Sequence, residues 1–206
     1  MLEMSTRTQV AAEAARLLYN RTVKEYKDAK EMAASSLGTR ALPSNYEVAM
    51  ELDRLVEERE GSDRLSMLVE MREIALEVMR RLRDFDPVLI GSVWRGTLRK
   101  GSDIDIVVYH ETPDVVKDML SEYELKSTES KEFNVGGLPR TSTHLAYTIK
   151  THTLEIVVRP PRDRVYYRDE RCETYGDTKR GLRLPELEKL IQIDPLRRFI
   201  PKRRLR

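Results

Sequence analysis

The sequence has few of the features that mark secreted or membrane proteins. Its 206 residues include one cysteine, Cys172, so no internal disulfide can form and a reducing compartment is indicated. No run of about 18 apolar residues is present, which excludes an ordinary transmembrane helix. The N-terminal segment contains Glu3 and Glu13 and no uninterrupted apolar stretch, so no signal peptide is predicted. We therefore expect a cytoplasmic protein that does not bind membranes.

The charge of the chain is nearly balanced overall but unevenly distributed. Hydrophobic residues make up 40% and charged residues 35% of the sequence, which describes a soluble globular protein with a net charge of +2. From Arg159 to the end there are 15 Lys or Arg and 8 Asp or Glu, and the last ten residues, RRFIPKRRLR, contain six basic groups. We expect this tail to lie outside the core and to bind an anionic partner, or else to be a solvated end.

The pattern of apolar residues changes near Pro87. Before it, apolar positions at helical spacing predict helices over 5–36, 44–60 and 62–84. After it, short apolar runs predict strands at PVLI and DIDIVVY, a helix at TPDVVKDMLSEY, and a hairpin of THLAYTIK with HTLEIVVRP. A short helix is expected near 185–191. The fold class is therefore α+β, with three predicted regions: helices over 1–85, a core over 86–160 and a basic extension over 161–206.

Two aspartates interrupt the second predicted strand. Side chains in a strand alternate with period two, so Asp103 and Asp105 fall on one face, where their like charges repel. Glu155 interrupts the later apolar strand TLEIVV in the same way. If these strands are neighbours, the three carboxylates converge and suit Mg²⁺, a hard cation that binds oxygen ligands. Two such ions can stabilise both the attacking and the leaving oxygen in phosphoryl transfer.

A glycine-serine pair follows the first predicted strand. Gly91-Ser92 turns the chain into a short helical segment, where backbone N–H groups and the serine hydroxyl could bind phosphate oxygens. Glycine lets the backbone approach a ligand closely.

The order and spacing of these motifs resemble the nucleotidyltransferase superfamily with the DNA polymerase beta-like fold. The segments GSVWRG and SDIDIVV are especially similar to minimal nucleotidyltransferases and archaeal CCA-adding enzymes. The resemblance covers residues 87–158 and implies a mixed β-sheet core, here preceded by an N-terminal helical region. Many family members have Asp where this chain has Glu155.

The resemblance implies a metal-dependent enzyme that moves a nucleoside monophosphate from an NTP, with ATP as the expected donor, to an acceptor hydroxyl. The implied catalytic and metal-binding residues, for Mg²⁺ or in its place Mn²⁺, are Asp103, Asp105 and Glu155. The implied nucleotide-binding residues are Gly91, Ser92, Arg95 and Lys100. The alternatives are a structural acid at Glu155, an exposed helix arginine at Arg95 and a solvated Lys100.

The acceptor is left open by the sequence. The basic tail favours an RNA or DNA end. One alternative is a protein hydroxyl, as in antitoxin-like enzymes that nucleotidylate a partner toxin, whose ribonuclease motif this chain lacks. Another is a small molecule such as an antibiotic. A further hypothesis is a non-catalytic nucleic-acid-binding module, which the retention of all three acids opposes.

Five other residues are interpreted as structural. Trp94 is expected in the core, His144 and His152 on strands at the surface, and Gly136-Gly137 in a turn or mobile loop.

Overall fold

The computed structural model describes residues 5–135, 138–167 and 170–202. The turn predicted at Gly136-Gly137 lies outside the described residues, as do the last four residues of the basic tail. The chain divides into two compact units, one comprising Met1–Arg64 and Cys172–Asp177, the other Leu65–Arg171 and Thr178–Arg206.

The first unit is helical. It contains α1 (Thr6–Tyr19), α2 (Tyr26–Ser36) and the beginning of α3 (Asn45–Arg81). The prediction of helix throughout 5–36 is wrong, because the chain leaves the helix after Tyr19 and Arg21 adopts a left-handed backbone with φ of 58°. Small apolar side chains of α1 and α2 pack with α3 in a cluster that includes Val10, Ala14, Ala33, Val48 and Leu52.

Helix α3 is interrupted at Gly61. Its φ of 47° and ψ of −125° are not helical, so the segment consists of two helical stretches. The predicted break between 60 and 62 is thereby confirmed. Glycine tolerates this backbone because it has no Cβ.

The second unit is built on a six-stranded sheet in the order β3-β4-β5-β2-β1-β6. Strands β2 and β5 are parallel, and every other neighbouring pair is antiparallel, so the predicted α+β fold with a mixed sheet is confirmed. The strands are β1 (Val88–Ile90), β2 (Ile104–Tyr109), β3 (Glu124–Val135), β4 (Leu138–Ile149), β5 (His152–Arg159) and β6 (Leu182–Arg183). The helices after α3 are α4 (Gly91–Arg95), α5 (Pro113–Met119) and α6 (Leu184–Ile193), with 3₁₀ turns at Arg83–Phe85 and Pro161–Tyr167.

The predicted hairpin of β4 and β5 is confirmed, with Lys150 in a left-handed turn conformation. Sequence reasoning missed β3 and β6. The sequence of β3, ELKSTESKEFNV, has no alternation of apolar and polar residues, because this strand forms the edge of the sheet and pairs with β4 alone. Its charged residues are typical of an edge strand that avoids pairing with other chains.

The two faces of the sheet differ in composition. Ile104, Ile106 and Val108 of β2 and Leu154 and Ile156 of β5 are buried in the apolar cluster that also includes side chains of α3 and α6. The alternate residues of the same strands point the other way, which carries Asp105 and Glu155 to the opposite face. Among the described residues, no helix is both long and apolar enough to cross a bilayer.

A buried arginine connects α3 to the C-terminal segment. The Arg72 guanidinium donates to the carbonyl oxygens of Val93 at 3.1 Å, Trp94 at 2.9 Å, Pro195 at 2.6 Å and Arg197 at 3.0 Å. Its side chain is fully buried. Burial lowers the pKa of Arg72 to about 10, so the group is still protonated at neutral pH.

The C-terminal segment is part of this unit's packing. The Phe199 N–H donates to the Arg95 carbonyl at 2.9 Å, and Arg95 Nη1 donates to the Phe199 carbonyl at 3.0 Å. The Phe199 ring also lies beside Trp94, with centroids 6.5 Å apart. The expectation that the whole tail lies outside the core is therefore wrong for Pro195 through Phe199, because α4 and Arg72 bind their backbone.

We predict that Arg72→Met lowers the free energy of unfolding by at least about 3 kcal/mol, because several buried carbonyls lose their donor. Urea denaturation measures this loss. Arg80→Met is the control, since Arg80 lies on the same helix but is solvent-exposed and pairs with Glu188. Equal stability of the two variants would contradict the assigned role of Arg72.

Candidate active site

The candidate site begins where β1 ends and α4 begins. Gly91 is the first residue of α4 and has a φ of 72°, a left-handed backbone that disfavours any other residue. Ser92 follows in the first turn, and its carbonyl accepts from the Thr97 N–H at 3.0 Å. The predicted turn from strand into short helix is thus present.

The sheet brings two of the predicted carboxylates side by side. Asp105 and Glu155 are direct partners in the parallel pair of β2 and β5, and Ile90 at the end of β1 is the partner of Asp105 on its other side. Asp103 lies one residue before β2 and is exposed. The pairing of Asp105 with Glu155, and the position of Asp103 just before β2, place all three acids near the same end of the central strands.

Burial and neighbouring negative charge both act on the Asp105 carboxyl group. Partial burial raises the pKa of Asp105 to about 8, followed in size by the charges of Glu155 and Asp103 and a hydrogen bond with Glu155. Each added negative charge makes ionisation of Asp105 less favourable. A bound cation would reverse this effect.

Gly91 and Asp105 are in close contact. A Cβ added to Gly91 would overlap with Asp105 Oδ2 and lie 3.1 Å from its Cγ. Glycine at this position therefore provides the space that the Asp105 carboxylate occupies. That Gly91 also lets the backbone approach a nucleotide closely stays a prediction.

Glu155 has two further neighbours that the sequence did not reveal. His144 Nδ1 lies 2.7 Å from Glu155 Oε1, and Lys131 Nζ lies 3.8 Å from the same oxygen. The other ring nitrogen, His144 Nε2, lies 3.0 Å from Ser142 Oγ. His144 and His152 lie on strands, as predicted, and their side chains are half-buried, at 17% and 11% exposed. The hairpin turn at 150–152 was the available signal, since it places position 144 near 155.

The predicted nucleotide-binding residues do not all lie together. Arg95 is buried, and its guanidinium stacks on the Trp94 ring at 4.3 Å and binds the C-terminal segment. Lys100 is exposed in the turn before Asp103. Ser102 Oγ accepts from the Arg99 N–H at 3.0 Å and so braces this turn. Trp94 is buried in the core, as predicted.

The oxygen-rich donor set suits a hard divalent cation. Within the ranges that the structure describes, no group of three or more His, Cys, Asp or Glu side chains is arranged to hold a metal ion. The chemistry still fits, because Asp105, Glu155 and Asp103 repel one another and all their donor atoms are oxygens. Asp103, Asp105 and Glu155 are the residues that would hold Mg²⁺ or Mn²⁺.

Comparison with known proteins identifies the domain. Residues 71–171 match the family model described as a nucleotidyltransferase domain, a segment that contains β1 to β5 and all three acids. Within residues 71–171, just under half of the chain, the sequence is therefore similar to nucleotidyltransferase domains, as its motifs predict. No curated protein matches the chain.

Several solved structures are similar to part of this chain. MgGTP-bound Cid1 poly(U) polymerase is 18% identical with a TM-score of 0.29, covering 50% of this chain and 35% of that one. The GLD-2/RNP-8 complex is 11% identical with a TM-score of 0.32, covering 57% and 50%. A cytoplasmic RNA terminal U-transferase is 17% identical with a TM-score of 0.27, covering 59% and 35%. The chain thus spans a third to a half of the length of these structures.

We predict that Asp105→Asn raises stability in metal-free buffer by an amount that grows between about pH 4 and 8. The folded-state pKa of about 8 lies above the ordinary 3.8. The contribution of Asp105 to stability is therefore present below pH 4 and is lost as pH rises through 8. Thermal unfolding with a chelator measures this, at about 2–4 °C for each kcal/mol relieved. The exposed Asp114→Asn is the control, and a pH-independent difference would contradict the prediction.

We predict that Gly91→Ala destabilises the protein by more than Gly38→Ala. Both glycines have a left-handed backbone, which costs an L-residue roughly 1–2 kcal/mol, but Gly38 has open space where a Cβ would lie. The excess loss at Gly91 measures the collision with Asp105. Combining Gly91→Ala with Asp105→Ala should recover that excess in a double-mutant cycle of unfolding free energies. Additive losses would contradict the contact.

Proposed function

We propose that this protein is a metal-dependent nucleotidyltransferase that moves a nucleoside monophosphate from an NTP to an acceptor hydroxyl and releases pyrophosphate. The observation that carries the proposal is the in-register pair of Asp105 and Glu155, with Asp103 just before the strand, inside a nucleotidyltransferase domain. In the reaction, the acceptor oxygen bonds to the α-phosphorus. The bond from that phosphorus to the α–β bridging oxygen breaks, and the hydroxyl proton is released.

The three acids take different roles in this proposal. Asp103 and Asp105 would hold the divalent ions, and Glu155 would help to hold a metal ion and to orient the acceptor hydroxyl. When bound, Mg²⁺ or Mn²⁺ neutralises the charge that develops on the phosphate oxygens. Gly91-Ser92 directs the first backbone N–H groups of α4 and the serine hydroxyl towards the triphosphate. Lys100, exposed before Asp103, adds positive charge nearby. Most of the rate enhancement then comes from positioning and electrostatic stabilisation.

The burial of Arg95 favours a supporting role over direct contact with the nucleotide. Its guanidinium is covered by Trp94 and bonded to the Phe199 carbonyl. We propose that it supports the nucleotide site by fixing α4 to the C-terminal segment.

We propose a nucleic-acid end, RNA or DNA, as the acceptor. The support is electrostatic: the segment from Arg159 onwards has seven more basic than acidic residues, 15 against 8. Arg197, Arg198 and Lys202 are the described basic members of the C-terminal tail. Basic residues bind a phosphate backbone without regard to sequence, which suits recognition of an end. The basic side chains of this tail can bind phosphate while the backbone of Pro195 to Phe199 keeps its contacts with α4 and Arg72.

A labelling experiment tests the proposal. Purified protein is incubated with each of the four NTPs, labelled at the α-phosphate, in Mg²⁺ or Mn²⁺, with RNA, DNA or total protein as the acceptor. We expect label in RNA or DNA for the native protein and at least a hundredfold less for Asp105→Asn. Label in protein alone would replace the nucleic-acid acceptor with a protein hydroxyl. No transfer of label from any NTP to any acceptor would refute the proposed nucleotidyltransferase activity.

A further inference from the structure

Three side chains form a hydrogen-bonded row that ends on Glu155. Ser142 Oγ lies 3.0 Å from His144 Nε2, and His144 Nδ1 lies 2.7 Å from Glu155 Oε1. The row runs from a fully buried hydroxyl, only 2% exposed, to a carboxylate that is 32% exposed. It lies on the sheet face that carries Asp105, because Glu155 and Asp105 are partners in register.

The strand register explains why these residues meet. Ser142 and His144 are two positions apart on β4, so their side chains share one face. Ala146 is the direct partner of Glu155 on β5, which makes His144 its diagonal neighbour. Alanine leaves space at the direct position. The imidazole can therefore reach across to the carboxylate.

A hydrogen on His144 Nδ1 satisfies both contacts of the ring, in the neutral imidazole and also in the imidazolium, whose Nε2–H would donate to the Ser142 hydroxyl. With the hydrogen on Nδ1, the neutral imidazole donates to Glu155 Oε1 and accepts from the Ser142 hydroxyl at Nε2. Two anchored ring nitrogens restrict rotation of the imidazole, and the 2.7 Å bond to an ionised acceptor is short enough to be strong. Both ends of the ring are thus fixed.

Lys131 does not provide the same orientation. Its Nζ lies 3.8 Å from Glu155 Oε1 and 3.9 Å from Glu129 Oε2, which are ion-pair distances beyond hydrogen-bond length. The lysine contributes positive charge on a flexible side chain that is half exposed. His144 is consequently the neighbour whose geometry can set the direction of the Glu155 carboxylate.

We propose that His144, braced by Ser142, is a positioning residue that orients Glu155 for metal binding. The inference rests on the proposed function, since Glu155 is there a metal-holding acid. His144 and Lys131 both approach Oε1, which leaves Oε2 of Glu155 available to a metal ion. Partners that hydrogen-bond a metal ligand typically change metal affinity by roughly 10–100-fold when removed.

Direct measurement of Mn²⁺ binding tests the proposal without turnover. Electron paramagnetic resonance titration of the full chain gives the Mn²⁺ dissociation constant in the absence of NTP. We expect His144→Phe to raise it about 10–100-fold. His144→Asn should stay within about threefold of the native protein, because its side-chain amide can still donate to Oε1. Ser142→Ala should show an intermediate loss, since the ring keeps one of its two anchors.

His152→Phe is the matched control. His152 begins the other strand of the same hairpin, has a side chain of similar burial, and lies beside Glu70, away from the three acids. It should lose stability comparably in urea denaturation while keeping the native Mn²⁺ affinity. If His144→Phe fails to fold, Ser142→Ala and His144→Asn still provide the comparison.

Activity separates this inference from the proposed function. Excess Mn²⁺ should restore the transfer rate of His144→Phe but not that of Asp105→Asn, which lacks a ligand. Native Mn²⁺ affinity in both His144→Phe and Ser142→Ala would overturn the positioning role and leave the transferase intact. Absence of label transfer by the native protein would refute the transferase, whereas the Mn²⁺ titrations would still decide the role of His144.

Discussion

The repulsion between Asp105 and Glu155 is the constraint around which the site is organised. Parallel pairing of β2 and β5 places these acids side by side, and burial together with the charges of Glu155 and Asp103 raises the pKa of Asp105 to about 8. Backbone hydrogen bonds fix both strands, so the acids cannot move apart as surface residues would. The neighbouring residues accommodate the two acids. Gly91 leaves space for the Asp105 side chain, and His144 and Lys131 contact the Glu155 carboxylate.

The same central strands also form the core, and this explains how charge can be held there. Ile104 and Ile106 flank Asp105, just as Leu154 and Ile156 flank Glu155, and all four apolar side chains are fully buried. Their burial secures the register that brings the acids together. The acids on one face of the sheet therefore repel one another, and burial of the apolar side chains on the other face stabilises the strands that carry them.

Arg72 extends this support to the C-terminal segment. By donating to carbonyls of α4 and of residues 195–197, it joins the short helix after Gly91 to a distant part of the chain. Arg95 and Phe199 add a reciprocal pair of bonds. The position of α4 thus depends on residues that a compositional reading assigns to a basic tail.

Local patterns in the sequence predict much of this protein's structure. The alternation of residues in β2 and β5, the Gly91 turn and the apolar helix positions are local in sequence, so they predict the α+β class, the hairpin and the identity of the three acids. Tertiary structure decided what depends on residues distant in sequence. The pairing of β2 with β5 sets the neighbours of Asp105, and the register of β4 brings His144 to Glu155. The contact of the buried Arg95 side chain with Phe199 also depends on tertiary structure. The edge strand β3 could not be predicted from local pattern, because its two faces carry similar polar residues.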